Sequence, residues 1–207
     1  MNNFKVMIKF HKIISLVFQP LLVPTYAMLL LMNMDIFLIL PLHWRLTAII
    51  GTFLLTGILP AVPIILMIKR GDVNDLFISR REERTLPYIF SFIAYVCWVI
   101  FMWRMLHFPI FIVLMGLGSA ISIFIIVIIN LKWKISAHLA GMGGLWGAII
   151  GVCYRTEINP VWFFALVLFI SALVAVSRLE LKAHTPGQTL AGFVVGFLMV
   201  FIPAFLF

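Results

Sequence analysis

Seven apolar stretches, each long enough to cross a bilayer, limit the fold of this chain more than any other feature. They fall at about 13–33, 47–68, 86–105, 108–130, 136–154, 160–178 and 187–206. A spanning α-helix needs ~20 mostly apolar residues. Because the stretches take up most of the 207 residues, no room remains for a separate soluble domain. We therefore predict an all-α polytopic transmembrane bundle of about six or seven spanning helices, forming one integral membrane domain over residues 1–207.

Composition excludes the other classes of chain. Hydrophobic residues make up 64% of the sequence and charged residues 11%, against ~45–50% and ~25% in ordinary globular domains. A soluble domain of this size has too little interior to hide that much apolar surface. The same hydrophobicity excludes a disordered chain.

The charge balance is strongly basic, with 15 Lys and Arg residues against 7 Asp and Glu residues and a net charge of +8. On a soluble protein this excess would suggest nucleic acid. In a membrane chain it points to topology, to phosphate binding, or to both. We expect the lipid bilayer and a membrane lipid with a phosphate or diphosphate head as partners, and no nucleic acid.

The basic residues are unevenly divided between the two ends of the expected helices. With alternating helices, the amino terminus and the loops at 69–85, 131–135 and 179–186 share one side. That side holds Lys5, Lys9, Lys12, Lys69, Arg70, Arg80, Arg81, Arg84, Lys132, Lys134, Arg178 and Lys182, whereas the other holds Arg45, Arg104 and Arg155. The positive-inside rule places the crowded side in the cytoplasm, and we expect a bacterial inner membrane. If these charges bind phosphate instead, the periplasmic orientation stays open.

Three clusters of ionisable residues lie on the crowded side, where each is a candidate for function because charge near a membrane core is costly. The first contains Arg80, Arg81 and Arg84. Planar guanidinium groups suit phosphate, and arginines three or four residues apart face the same way on a helical turn. A solvated loop that only sets topology is the alternative.

The second cluster is the segment 134–138, at the start of the fifth stretch. Ser136 is a plausible N-cap, so the free backbone N–H groups around Ala137 would point into the same space as the positive helix end. His138 lies in this first turn. A capping or interfacial histidine is the structural alternative.

The third cluster runs from Ser177 to Gln188. Thr185 as N-cap, with Gln188 three residues later, is a capping-box pattern, so Gln188 has a structural explanation. His184 lies immediately before this helix start, where the dipole disfavours imidazolium and helps keep the ring nucleophilic.

These clusters resemble the motifs of the type 2 phosphatidic acid phosphatase superfamily, which are integral membrane lipid phosphatases with the patterns K-x6-R-P, P-S-G-H and S-R-x5-H-x3-D. Ser177-Arg178, five residues and His184 match the third pattern. Residues 135–138 match the second in part, and the first is degenerate around Arg84. The motif-bearing core spans about 69–192.

The third motif ends in Gln188, where the family usually has aspartate. A glutamine carbonyl can accept the imidazole N–H of His184, but it stabilises imidazolium less than a carboxylate does. The stretch 184–188 is similar to the H-T-x-x-Q variant of the dolichyl-diphosphatase branch, which favours a polyprenyl diphosphate substrate.

The resemblance implies a membrane lipid-phosphate or lipid-diphosphate phosphohydrolase with a phosphohistidine intermediate. His184 would attack phosphorus, and His138 would protonate the leaving oxygen and then activate water. The phosphoryl oxygens would be held by Arg84, with Arg81 as the reserve and Arg80 also open, and by Arg178, Ser136 and Ala137. No cofactor or metal is expected, because guanidinium and amide donors stabilise the transition-state charge.

Two other functions stay open. In a Mg²⁺-dependent prenyl- or phospho-transferase, Asp72 and Asp75 would bind a metal–diphosphate, but the remaining acids Asp35 and Glu157 fall on the opposite side. A non-catalytic lipid-binding or transport protein on the same scaffold is motivated by the altered first and third motifs.

Overall fold

The structure is a computed structural model that describes residues 2–74, 78, 80–159 and 161–206. Within these residues the chain forms ten α-helices and no β-strand. The helices, named α1 to α10 in chain order, are Asn2–Val17, Val23–Met32, Asp35–Leu38, Leu42–Thr52, Leu59–Arg70, Thr85–Ile100, Ile110–Asn130, Ala137–Thr156, Val161–Glu180 and Pro186–Leu206. Short 3₁₀ turns lie at Pro20–Leu22 and Glu82–Arg84, and π-helical segments lie at Phe53–Ile58 and Phe101–Met105.

Seven helical spans in the described residues are long and apolar enough to cross a membrane, which confirms the predicted fold class of an all-α polytopic bundle. They are Lys5–Met32, Leu42–Arg70, Glu82–Met105, Ile110–Asn130, Ala137–Thr156, Val161–Glu180 and Pro186–Leu206. The chain is accordingly an integral membrane protein. The first span reaches farther toward the amino terminus than the expected stretch at 13–33, because α1 is already helical from Asn2.

The first span is broken in the middle by the 3₁₀ turn at Pro20–Leu22, which separates α1 from α2. Helix α1 packs against α9, whereas α2 packs against α8 and α4. The imidazole Nδ1 of His11 lies 3.1 Å from the hydroxyl of Ser177, which joins α1 to the end of α9. Proline lacks the N–H that would continue a helix, so the break lets one span contact two different parts of the bundle.

The centre of the bundle is the contact between α8 and α10, and glycine makes it possible. A Cβ at Gly143 would lie 2.0 Å from the carbonyl oxygen of Phe193, and one at Gly196 would lie 1.9 Å from the carbonyl oxygen of Ala140. Only hydrogen fits at these distances, so the two backbones touch directly. In the fifth stretch of the sequence, Gly143, Gly147 and Gly151 recur every four residues, a spacing that lets neighbouring backbones approach closely and so predicts this central position.

Candidate active site

A small polar pocket of about 50 Å³ lies where the starts of α8 and α10 meet the end of α9. Its walls come from helix ends and connecting segments that are far apart in the chain. The lining residues are Gln19, Pro20, Ile78, Arg84, Tyr88, Ala137, His138, Arg178 and His184. One residue or more from each of the three predicted clusters therefore faces the same space.

The starts of α8 and α10 are joined by a backbone hydrogen bond. The N–H of Ser136 donates to the carbonyl oxygen of Gln188 at 3.2 Å. Farther along α10, a Cβ at Gly192 would lie 2.3 Å from the carbonyl oxygen of Ser136, so glycine is needed for this approach as well. This junction explains why His138 and His184, 46 residues apart in the sequence, line one pocket.

Gln188 both caps α10 and holds His184. Its Oε1 accepts a hydrogen bond from the backbone N–H of Thr185 at 3.2 Å, and its own N–H donates to the Thr185 hydroxyl at 3.4 Å. This is the reciprocal capping box. The same Oε1 lies 3.1 Å from Nδ1 of His184. The two explanations of Gln188 are therefore not alternatives, because one oxygen makes both contacts.

The capping bond also indicates which ring nitrogen of His184 carries the proton. A backbone N–H only donates, so the Gln188 atom that it reaches is an acceptor oxygen. His184 must then donate from Nδ1 to that oxygen, which leaves Nε2 with a free lone pair. An unprotonated Nε2 is the form of the ring that can attack phosphorus.

The surroundings of His184 favour the neutral ring. Burial, followed by the positive charges of Arg84 and Arg178, lowers the pKa of His184 from 6.5 to about 3, against an opposing contribution from the Gln188 hydrogen bond. Each of the two main causes penalises imidazolium. At neutral pH the ring is therefore uncharged and keeps its lone pair.

His138 is held by the backbone of α1. Its Nε2 lies 3.0 Å from the carbonyl oxygen of Ser15. Ser15 is in the last turn of α1, where carbonyl groups lose their helical partners. The N–H of Gln19, four residues on, bonds instead to the carbonyl of Leu16. A carbonyl only accepts, so His138 donates from Nε2, and its lone pair is on Nδ1.

Arg84 and Arg178 are the two buried guanidinium groups of the pocket, each 3% exposed. Arg84 donates from Nε to the carbonyl of Ile78 at 2.8 Å and from Nη1 to the carbonyl of Ile135 at 3.4 Å. Within the described part of the chain, no carboxylate pairs with Arg84. A buried cation held only by neutral groups favours a bound anion.

Arg80 and Arg81 point away from the pocket. Arg81 donates to the carbonyl of Leu131 at 3.1 Å and lies 3.5 Å from a carboxylate oxygen of Glu82. Arg80 is exposed and lies 3.6 Å from Glu83. Of the three arginines in the first cluster, the structure brings only Arg84 to the pocket.

Ser136 and Ala137 form the start of α8. The Ser136 hydroxyl accepts a hydrogen bond from the N–H of Leu139 at 3.4 Å, so Ser136 is the N-cap. Ala137 lines the pocket. The first N–H groups of a helix have no intrahelical acceptor, so the start of α8 offers amide donors and a positive dipole end to this space.

The pocket is also lined by four residues that belong to none of the three predicted clusters: Gln19, Pro20, Ile78 and Tyr88. The signal that could have found the first two is the proline within a spanning stretch. Irregular backbone at membrane depth is tolerated where it lines a cavity, and the turn at Pro20 does so.

The acidic pair considered for Mg²⁺ is only half described. Asp72 is exposed, and Asp75 lies outside the described residues. In the described ranges, no group of three or more His, Cys, Asp or Glu side chains is arranged to hold a metal ion.

Among known proteins, one family model matches part of the chain. No curated protein and no solved structure matches the chain. The model of the PAP2 superfamily matches residues 119–205, which include His138, Arg178, His184 and Gln188 but not Arg84. The match covers less than half of the chain, and it supports the type 2 phosphatidic acid phosphatase superfamily, and with it phosphatase activity on a lipid-type substrate.

Proposed function

We propose that this protein is a lipid-phosphate or lipid-diphosphate phosphohydrolase that acts through a phosphohistidine at His184. The proposal rests on the protonation and the position of the His184 side chain. His184 is a neutral imidazole with Nδ1 held by Gln188, and it lines a pocket with Arg84 and Arg178. A free Nε2 lone pair beside two cations is what attack on a phosphoryl group requires.

The phosphoryl group would be bound by charge and by amide donors. Arg84 and Arg178 supply the guanidinium groups. Ser136 donates its own N–H to Gln188 and caps α8, so the N–H of Ala137 and the helix dipole complete the set. These groups stabilise the equatorial oxygens, where negative charge concentrates during transfer. Because Arg81 turns away from the pocket, Arg84 takes this role in the proposal.

The first chemical step forms the bond between Nε2 of His184 and phosphorus and breaks the bond from phosphorus to the leaving oxygen. We propose that His138, as imidazolium, donates a proton to the leaving oxygen. The negative charge of bound substrate offsets the nearby arginines and so favours this protonated state. His138 returns to the neutral ring as the lipid product leaves.

The second step hydrolyses the phosphoenzyme. Neutral His138 accepts a proton from water while the oxygen of that water attacks phosphorus, and the bond to His184 breaks. The contact with Ser15 keeps the proton of the neutral ring on Nε2, so Nδ1 is the atom that takes the proton from water. Inorganic phosphate then leaves with the proton that His138 took from water, so both rings return to the neutral state.

The test is phosphate release by purified protein in detergent. The panel consists of phosphatidate, phosphatidylglycerophosphate, a polyprenyl diphosphate and a lipid A phosphate, with His184→Ala as the control. We expect release from at least one lipid and none with the variant. An acid-labile phosphoenzyme should also form in the parent protein. Binding of these lipids without any release would contradict the proposal and favour the non-catalytic lipid-binding function.

We also propose that residues 1–207 form one membrane domain and that its site faces the cytoplasm. The pocket takes residues from Gln19 to His184, so the site includes residues that lie before the matched region, which supports a single domain. Removing Arg84 and Arg178 from the charge count leaves ten basic residues against three, which still favours the cytoplasmic side for the site. Labelling of Arg80→Cys by an impermeant reagent tests the side.

A further inference from the structure

Tyr88 lies where the polar pocket meets a larger cavity. It lines both spaces, and the second is a mainly apolar space of about 190 Å³ between α2, α6, α7 and α8. Tyr88 is in the first turn of α6, four positions after Arg84. It lies before the region that matches the PAP2 superfamily, and it belongs to none of the three predicted clusters. Its place in the pocket is therefore a finding of the fold alone.

The ring of Tyr88 is held by apolar contacts. It packs against a buried cluster of Ile126, Ile135 and Ala140, which come from α7, from the residue before the N-cap of α8 and from α8 itself. Tyrosine combines such an apolar body with a polar tip. Because the ring is fixed in this cluster and the side chain also lines the polar pocket, its hydroxyl is the part that meets the polar groups there.

The hydroxyl of Tyr88 lies close to the cations of the pocket. It forms a side-chain hydrogen bond with Arg84, and the charge of Arg178 also acts on it. A guanidinium group only donates, so the phenol oxygen is the acceptor in the contact with Arg84. This contact leaves the hydroxyl proton for another acceptor. Beside two buried guanidinium groups, the acceptor that the surroundings favour is an anion.

Ile135 fixes both partners of this contact. Its carbonyl oxygen accepts a hydrogen bond from Nη1 of Arg84 at 3.4 Å, and its side chain belongs to the cluster that holds the ring of Tyr88. Ile135 is itself fully buried and comes two residues before Ala137, which lines the pocket at the start of α8. The guanidinium, the hydroxyl and the start of α8 are therefore positioned in advance for one ligand.

From the ring packing, the contact with Arg84 and the place in the pocket, we infer that the hydroxyl of Tyr88 donates a hydrogen bond to a phosphoryl oxygen of the bound substrate. The inference rests on the proposed function and adds to it a further phosphate-binding residue. A donor that is already in place where negative charge develops stabilises the transition state. The hydroxyl keeps its proton throughout, so no bond to Tyr88 forms or breaks.

Tyr88→Phe tests this contact, because it removes the hydroxyl and keeps the ring that packs in the cluster. The matched control is Tyr95→Phe, the same change seven residues further along α6. The hydroxyl of Tyr95 donates to the carbonyl of Pro20 at 3.3 Å, and Tyr95 lines the cavity but not the polar pocket. Because a hydrogen bond to a charged group is worth about 10- to 100-fold, we expect kcat/KM to fall by about tenfold or more in Tyr88→Phe. Tyr95→Phe should leave it nearly unchanged.

Two substrates show which oxygen the hydroxyl reaches. The lipid of the panel that is hydrolysed fastest needs a proton on its leaving oxygen, whereas p-nitrophenyl phosphate does not. The phosphoryl oxygens are common to both, so we expect Tyr88→Phe to lower kcat/KM by the same factor for each. A loss with the lipid alone would overturn the assignment to a phosphoryl oxygen and would place the contact at the leaving oxygen.

A second measurement does not depend on turnover. Carbethoxylation of His184, followed on the peptide that contains it, is measured against the concentration of inorganic phosphate in the parent protein and in both tyrosine variants. Phosphate in the pocket covers the ring of His184, so the concentration that gives half protection reports the affinity for the anion. We expect this concentration to rise by about tenfold or more in Tyr88→Phe and to stay the same in Tyr95→Phe.

The outcomes separate the inference from the proposed function. Protection that weakens in Tyr88→Phe, without phosphate release from any lipid, would support the contact and overturn the phosphatase. Phosphate release with parental kcat/KM and parental protection in Tyr88→Phe would support the phosphatase and overturn the contact. Equal losses in the two tyrosine variants would overturn it as well, because altered packing of α6 would then account for both. If phosphate does not protect His184 even in the parent protein, the contact is overturned together with the anion site.

Discussion

The two histidines of the pocket are held in different ways. His184 contacts Oε1 of Gln188, four residues along the chain and within the same helix start. His138 contacts the carbonyl oxygen of Ser15, 123 residues away on a different span. In the neutral form each ring keeps one free lone pair, on Nε2 in His184 and on Nδ1 in His138. The proposed nucleophile His184 is thus positioned locally, whereas the position of His138 depends on how the first span packs.

The difference matters because the two rings have different tasks in the proposed mechanism. His184 needs a fixed proton on Nδ1 throughout, and a side-chain carbonyl from its own capping box supplies that acceptor. His138 has to gain and lose a proton at Nδ1, so its Nε2 contact must hold in both states. A backbone carbonyl accepts from the neutral ring and from imidazolium alike.

Removing the imidazole of His184 should have the largest effect on phosphate release. His184→Ala eliminates the nucleophile, so we expect phosphate release to fall by at least ~10⁴-fold, as for other nucleophile deletions. The pocket also loses a buried ring, so the variant must elute as the same monodisperse species and keep its helical circular dichroism. Turnover at the parental rate in such a folded variant would contradict the role of His184.

Removing the imidazole of His138 should slow phosphate release less, and by an amount that depends on the leaving group. General acid–base help contributes typically 10²–10⁴-fold, so His138→Ala should slow lipid hydrolysis by about 10²-fold or more. A p-nitrophenyl phosphate needs no proton on its leaving oxygen, so its first step should be affected much less. Equal losses for both substrates in single-turnover kinetics would count against the acid role of His138.

The two tasks of Gln188 can be separated with its capping partner. Thr185→Ala and Gln188→Ala each remove part of the capping box and should each cost about 1 kcal/mol of stability. Only Gln188→Ala also frees Nδ1 of His184, and loss of such an orienting bond typically costs 10–100-fold in activity. We therefore expect a drop of about 10-fold or more in kcat for Gln188→Ala and a change within about 3-fold for Thr185→Ala.

Gln188→Asp sharpens the same comparison. A carboxylate in reach of Nδ1 would stabilise imidazolium character at His184 more than an amide does, so activity should survive or rise. If Gln188 only capped the helix, its replacement by Ala and by Asp would alter kcat no more than Thr185→Ala does. Thermal unfolding measured alongside the kinetics keeps the capping effect separate.

Most of what is local in this site could be predicted from the sequence. The capping box at Thr185 and Gln188 follows from residue spacing alone, because both partners lie within one helical turn. The N-cap at Ser136 and the close packing of the fifth stretch follow in the same way. The seven spans follow from apolar length, apart from the early start of the first one.

What depends on tertiary packing could not be predicted. The bond from His138 to Ser15 joins two segments that share no sequence pattern. The choice between Arg81 and Arg84 is also invisible in the spacing, because either lies close enough to reach a pocket, and only the fold turns Arg81 towards Leu131. The cavity between α2, α6, α7 and α8 is a space between helices, so no single stretch encodes it.

The smallest expected effect is a shift in the pKa of His184, which tests the electrostatic surroundings of that ring. Burial, then Arg84 and Arg178, lowers the pKa of His184 to about 3. Arg84→Gln removes one of these cations, so the pKa should rise while burial keeps it below its ordinary value of 6.5. We expect carbethoxylation of the neutral ring, followed on the peptide containing His184, to lose its reactivity at a higher pH in Arg84→Gln than in the parent protein.

Lys132 provides the matched control for that shift. It is an exposed cation on the neighbouring loop and is not among the groups that act on His184, so Lys132→Gln removes the same charge from the chain without removing it from the pocket. An equal shift in both variants would mean that the overall charge of the protein, and not the guanidinium groups of the pocket, governs the protonation of His184. A shift confined to Arg84→Gln would place the guanidinium of Arg84 within electrostatic reach of His184, where the proposed attack on a bound phosphoryl group requires it.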